Sequence, residues 1–266
     1  MPVWDPAQYL RYSNLRTRPS YDLAQRVQVP HARRIADLGC GPGNSTDICA
    51  ERWPGASILG IDSSPTMIEK ARAAWPQREW KVADIATWVF EDNRERFDVI
   101  FSSAALQWIP DHARLFPRLL DWLSPGGVLA VQMPAYNALP NAIMREQAAD
   151  PAWRRWFPEG RASEWYSHDL EHYHRILAPH AAGLDLWATD YLQVMPDFES
   201  ILEWYKGTGL QPYLQAIHDE AEQRRFLAEY AERLRPHYPA STTGEVLFSF
   251  RRLFILASAQ TPLADA

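Results

Sequence analysis

Residues 34 to 46 read Arg34-Ile35-Ala36-Asp37-Leu38-Gly39-Cys40-Gly41-Pro42-Gly43-Asn44-Ser45-Thr46. A short apolar run ends in an acid, breaks into glycines at alternate positions and restarts on Asn, Ser and Thr, which cap helices well. That order predicts a strand, a tight turn and a helix. Glycines let the backbone of such a turn approach a ligand closely, and the free N–H groups of the new helix point toward anything polar or anionic. A nucleotide-like ligand is expected here, against the plainer reading of a structural loop.

The spacing narrows the ligand. A dinucleotide turn needs G-x-G-x-x-G, and the sixth position here is Asn44. Asp37 stands just before the glycines, where a carboxylate repels a pyrophosphate and welcomes a cationic amine. S-adenosylmethionine (SAM), with its ammonium group, suits this better than NAD.

Composition sets the class. A chain of 266 residues, 47% hydrophobic and carrying 12 Trp, is long enough for one large domain with a full core, with or without an insertion. A formal net charge of -6 argues against a general phosphate-binding surface and so against nucleic acid. The two cysteines, Cys40 and Cys49, are too few for a disulfide framework or a cysteine zinc site and fit a reducing compartment. Met1-Pro2-Val3-Trp4-Asp5 lacks the basic start and apolar core of a signal peptide, and the most apolar window, Leu253 to Ala257, is far short of a membrane span. A cytoplasmic monomer without nucleic-acid or membrane partners is expected.

Working outward from the turn, residues 1–30 form a basic, aromatic arm with Tyr9, Arg16 and Arg18, and Pro19 is placed to open a helix. Arg16 and Arg18 are candidate carboxylate clamps, because a guanidinium binds a carboxylate bidentately. Downstream, Ser57 to Asp62 and Trp80 to Ile85 read as strands that, like the first, carry an acid at the end. Asp62 falls where a neighbouring parallel strand presents a carboxylate to ribose hydroxyls. Carboxylates at three successive strand ends, Asp37, Asp62 and Asp84, mark the ligand-binding edge of an open α/β sheet. A fourth strand, Phe97 to Phe101, runs into Ser102 to Trp108, the expected floor between cofactor and acceptor. A helix from about Asp111 to Leu123, the turn Ser124-Pro125-Gly126-Gly127 and a strand Val128 to Met133 complete an alternating pattern over residues 31–133.

Beyond Pro134 the texture changes. Residues 134–182 are crowded with aromatics and histidines and read as a helical cap. His168 and His172 are spaced i to i+4, but His168-Asp169-Leu170-Glu171-His172 is not H-E-x-x-H and no third ligand is evident, so no metal is expected. Residues 184–191 and 246–257 read as closing strands, with a second helical insertion over 197–243. The fold class is α/β: a doubly wound, mostly parallel, seven-stranded sheet with helical cap insertions, as one domain.

The residues from Asp37 to Gly43, with Asp62 and Asp84, resemble the Rossmann-like class I SAM-dependent methyltransferases. Further stretches, among them Trp4-Asp5-Pro6, Arg16-Thr17-Arg18-Pro19, Leu106-Gln107-Trp108-Ile109-Pro110-Asp111-His112, Gly207-Thr208-Gly209-Leu210 and Arg252-Leu253-Phe254, resemble the trans-aconitate 2-methyltransferase family over almost the whole chain. The resemblance implies SAM as cofactor, held by Asp37, Gly39, Cys40, Gly41, Gly43, Asn44, Asp62, Ser63, Asp84, Ile85 and Ser103. It implies an anionic small-molecule acceptor near Tyr9, Arg16, Arg18, Trp108, Arg251 and Arg252, with Tyr9, Gln107 and Trp108 positioning and no residue serving as general base.

Departures fall in the cap and substrate segments. The family's Asp-Asn, its Glu-Pro-Thr-His run, an Arg and a Pro are replaced here by Ala135-Tyr136, Leu139 to Ala142, Gln211 and Arg251. Arg251 is expected to replace the charge missing at Gln211. The expected activity is methylation of a carboxylate of a small, trans-aconitate-like polycarboxylic acid, giving a monomethyl ester. The alternatives are O- or C-methylation of a different small molecule, which would need a base, and a non-catalytic SAM-binding protein.

Overall fold

The computed structural model describes residues 13–89, 96–136, 138–159 and 165–260, with side chains from Thr17 onward. Seven strands form one sheet: β1 (Arg34–Leu38), β2 (Ser57–Asp62), β3 (Glu79–Val82), β4 (Phe97–Ser103), β5 (Leu123–Pro134), β6 (Gly183–Met195) and β7 (Val246–Ser258). Their order is β3-β2-β1-β4-β5-β7-β6. β3, β2, β1, β4 and β5 pair in parallel, and β7 runs antiparallel to β5. The central strand β1 is buried from Ile35 to Leu38, which is why it reads as a continuous apolar run rather than an alternating one. The strand order reverses between β1 and β4, so the crevice past their carboxyl ends is where a ligand binds in such sheets.

The helices of this region are α1 (Ser13–Arg26), α2 (Asn44–Arg52), α3 (Pro65–Ala74) and α4 (His112–Asp121). Helix α4 is sharply amphipathic: Leu115, Phe116, Leu119 and Leu120 are buried, and the Asp111 carboxylate caps its start at Arg114 N–H.

Several boundaries differ from expectation. Strand β3 ends at Val82, so Asp84 and Ile85 lie in the loop after it rather than on the strand. Pro19 lies inside α1 rather than opening it. The helix runs on through the proline, forfeiting one backbone hydrogen bond, while Leu23, Ala24 and Val27 downstream are fully buried. The segment Ser124 to Gly127 is not a separate turn but lies within β5, where the pairing jumps from Phe97↔Leu123 to Val99↔Val128 and Gly126 takes φ 74°. Strand β6 extends past residue 191 to Met195.

The chain forms two compact units. One comprises residues 16–135, 165–189 and 252–266 and contains the parallel strands. Its core includes Phe97, Leu106, Phe116, Trp122, Tyr173 and Ile255. The other comprises residues 1–15, 136–164 and 190–251 and carries α5 (Leu139–Ala149), α7 (Phe198–Lys206), α8 (Gln211–Ala216) and α9 (Glu220–Leu234). There Trp153 meets Phe226 edge-on at 4.9 Å and Gln147 Nε2 donates to Phe226 O at 2.8 Å. The segment read as one cap over 134–182 is divided: residues 165–182, with α6 (Leu170–Leu177), belong to the sheet unit. No helix among the described residues is long and apolar enough to cross a membrane.

Candidate active site

The glycine turn leaves β1 and enters α2 as the spacing predicts. Gly39 and Cys40 both donate to Ile61 O, at 2.7 and 3.0 Å, which fastens the turn to β2. Gly39 has φ 73°, and a Cβ there would collide with Ala105. Gly41 has φ 54°, yet a Cβ there meets nothing within 4 Å. The first glycine is required by packing; beside the second the space is open. Gly43 caps α2 and Asn44, half-buried, is its first residue.

Two of the expected cofactor residues are placed differently from expectation. Asp37 has no exposed surface: its Oδ2 accepts from Ser45 Oγ and Thr46 Oγ1, both at 2.6 Å, and so pins the start of α2 to β1. Burial pushes this carboxyl up to about 6 against the opposing pull of the two hydroxyls. Its Oδ1 is buried and has no hydrogen-bond partner. The Cys40 side chain is turned into a cluster with Ile68, Ala71 and Trp80, and its thiol is pushed far up by burial, so only its backbone remains for a ligand. A strand buried on both faces gives no alternation from which the direction of Asp37 can be read, and Cys40 lies in the turn beyond it.

Asp62 and Asp84 remain at the edge. Asp62 is half-buried; Oδ2 accepts from Gly41 N–H at 3.0 Å and Oδ1 from Ser64 N–H at 2.8 Å. Burial raises its pKa, partly offset by these two bonds. Each oxygen keeps a lone pair for a hydroxyl donor. Ser63 beside it is half-buried. Asp84 is exposed, and its Oδ1 accepts from Ala86 N–H at 2.9 Å, shaping the loop that buries Ile85.

The carboxyl end of β4 forms the floor. Ser103 Oγ lies 2.6 Å from Ser20 Oγ and accepts from Gln132 Nε2 at 2.6 Å. Ala104 has φ 54°, unusual for a residue with a side chain, and its carbonyl accepts from Gln107 Nε2 at 2.7 Å. The short 3-10 turn Leu106–Trp108 follows. Gln107 is buried with Oε1 lacking a partner, and Trp108 is half-buried with its ring stacked on Trp165 at 5.2 Å and 22°. Tyr166 N–H donates to Gln107 O at 2.8 Å, so residues 165 and 166 are laid along the turn.

Beneath this turn the structure joins His112 and Tyr173, a pair that the sequence did not single out, beside the His168 and His172 that it did. His112 Nδ1 is 2.8 Å from Tyr173 Oη and Nε2 is 2.9 Å from Leu106 O. The carbonyl needs a donor, so the proton is assigned to Nε2 and the tyrosine hydroxyl donates to Nδ1. Burial holds His112 down to about 4. His168 and His172 stack at 3.9 Å, with burial pushing His172 down as well.

The arginines scatter. Arg18 is exposed on α1; the side chain of Arg16, like Tyr9, lies outside the described residues. The β7 alternation puts Arg251 and Arg252 on opposite faces, Arg251 exposed and Arg252 buried opposite Pro134. Arg251 Nη1 pairs with Asp190 Oδ2 at 3.3 Å, and Gln211 Nε2 donates to Lys206 O at 2.8 Å. In the same unit, Arg145 lies over the Tyr136 ring at 4.1 Å and donates to its carbonyl at 3.1 Å.

The residues present fit SAM. The space at Gly41 is open, carboxylates stand at the end of β2 and in the loop after β3, and a buried acceptor without a partner lies at Asp37. Comparisons with known proteins agree. Residues 35–127 match the family model described as "Methyltransferase domain". The trans-aconitate 2-methyltransferase of Azoarcus sp. (strain BH72) is 45% identical over 97% of this chain and 99% of its own length. That of Variovorax paradoxus (strain S110) is 44% identical, over 96% and 97%. Among solved structures, the YcgJ protein of Bacillus subtilis superposes with a TM-score of 0.60 at 13% identity over 91% of this chain and 98% of its own. The SAM complex of Haemonchus contortus phosphoethanolamine N-methyltransferase 2 gives 0.54 at 19% identity, over 91% and 52%. The chain belongs to the trans-aconitate 2-methyltransferase family and is a class I, SAM-dependent methyltransferase.

Proposed function

We propose that the enzyme methylates a carboxylate of trans-aconitate, or of a close polycarboxylic acid, to a monomethyl ester. Bound SAM supplies an electrophilic methyl group on a sulfonium. The acceptor oxygen forms the new O–C bond as the S–C bond breaks, the electron pair stays on sulfur, and S-adenosylhomocysteine leaves. No proton moves. Asp62 would hold the ribose hydroxyls, the Asp84–Ile85 loop the adenine, and the turn from Gly39 to Gly43, open at Gly41, the methionine part. Trp108 and Gln107 form the floor against which the acceptor is aligned.

One observation carries the choice of acceptor. His112, the imidazole bonded to this floor, has both ring nitrogens occupied and is held down to about 4 by burial. It is committed to structure, whereas a hydroxyl or carbon acid needs a base poised near neutrality. A carboxylate with a pKa of about 4 is already ionised and needs none, so catalysis reduces to alignment with the reacting atoms about 3 to 3.5 Å apart. An arginine on the attacking oxygen would blunt it, so cations are reserved for the other carboxylates. Arg251 is engaged with Asp190 instead.

The pH dependence of kcat tests this. A carboxylate acceptor gives a flat profile from about pH 6 to 8, because the nucleophile is fully ionised throughout. A tenfold fall in kcat per unit toward acid in that range would point to a base and to another acceptor class.

A further inference from the structure

We propose that helix α4 braces the two halves of the site, with His112 as a positioning residue for the acceptor floor and Arg118 as a positioning residue for the adenine loop. The proposal rests on the assignment of Trp108 to the acceptor and of Ile85 to the adenine made above. Both residues act through others; neither is placed against a reactant.

At the start of the helix, the His112 ring links three separate segments. Nε2–H donates to Leu106 O, the first residue of the 106–108 turn. Nδ1 accepts from Tyr173 Oη on α6, and that oxygen accepts in turn from His168 N–H at 3.2 Å. Residues 165 to 168 are therefore tied at Gln107 O, at Trp108, through Ser167 Oγ to Pro134 O at 3.1 Å, and at Tyr173. His112 and Tyr173 are both essentially buried, so deleting either partner leaves polar atoms without water.

Further along the helix, Arg118 holds the other loop. Its Nη2 donates to Ile85 O at 2.6 Å and its Nη1 to Ala86 O at 2.9 Å. The same loop is closed by Asp84 O, which accepts from Thr87 and Trp88 N–H. Trp88 then meets Trp122, just past the end of α4, edge-on at 5.0 Å. A planar fork reaching two successive carbonyls is a task for arginine; lysine offers a single point of attachment. The buried face of α4 is packed into the core, so the two loops are referred to one rigid body.

The test crosses four variants with two substrates. Arg118→Met should raise KM for SAM roughly 10- to 100-fold with the KM for the acceptor within about twofold, and Arg118→Lys should recover part of the loss. His112→Phe should lower kcat or raise acceptor KM by a similar factor with KM for SAM nearly unchanged, and should weaken the exciton signal of the stacked Trp108 and Trp165 in circular dichroism. His112→Gln, whose amide N–H reaches toward Leu106 O, should restore both. Losses of equal size in both KM values, or a lowered Tm with unchanged kinetics, overturn the brace. The direct variants Ile85→Ala and Trp108→Ala separate the failures. If they shift the expected KM values and the α4 variants do not, the brace alone is wrong; if they shift neither, the site assignment has failed and takes the brace with it.

Discussion

Trp108 and Trp165 are stacked at 5.2 Å with their planes 22° apart, although 57 positions separate them in the chain. The pair fastens residues 165 and 166 to the 106–108 turn, since Tyr166 N–H also binds Gln107 O. Trp165→Ala should leave the fold intact, lower kcat for the acceptor roughly 10-fold and spare KM for SAM; steady-state kinetics with each substrate varied in turn decides.

The two glycines of the turn should separate stability from binding. Gly39→Ala forces a Cβ into Ala105 and should lower Tm by several degrees. Gly41→Ala adds a methyl to open space, at a left-handed strain of about 1 kcal/mol, and should instead raise KM for SAM. Thermal melts and SAM titrations of both variants check this.

Asp37 and His112 make opposite demands on pH. The Asp37 pKa is raised from 3.8 to about 6, so its contribution to stability is complete below about pH 4 and is lost as pH rises through 6. The His112 pKa is lowered from 6.5 to about 4, so its contribution is complete above pH 6.5 and is lost as pH falls toward 4. Each amounts to about 3 kcal/mol, and between pH 4 and 6 they largely cancel. Relative to the parent, Asp37→Asn should lose Tm on going from pH 7 to 5, and His112→Gln should gain it.

Arg251→Ala breaks an exposed pair with Asp190 and should cost under about 1 kcal/mol while leaving acceptor KM within about twofold. Kinetics with a dicarboxylate and a tricarboxylate as acceptors check this.

The parts of the site that were legible in the sequence are local in it. The glycine turn, Asp62 and Asp84 each announce themselves within a strand and the few residues after it, and parallel pairing follows from the alternation. What was missed is carried by distant pairings: His112 with Tyr173 across 61 positions, and Arg118 with Ile85 across 33. Side-chain direction also escaped. Asp37 lies on the central strand, where neither face is exposed, and Cys40 in the turn after it, so no alternation records which way they point. Gly126 reads as a turn residue and is one conformationally, at φ 74°, but the pairing of Leu123 with Phe97 keeps it within a strand.

Carboxylate methylation is tested most directly by the fate of the methyl group. With methyl-labelled SAM and trans-aconitate, label is expected in an ester that base hydrolysis releases as methanol, one equivalent per S-adenosylhomocysteine formed. Label in a base-stable product, or no transfer to trans-aconitate or related polycarboxylates, would contradict it.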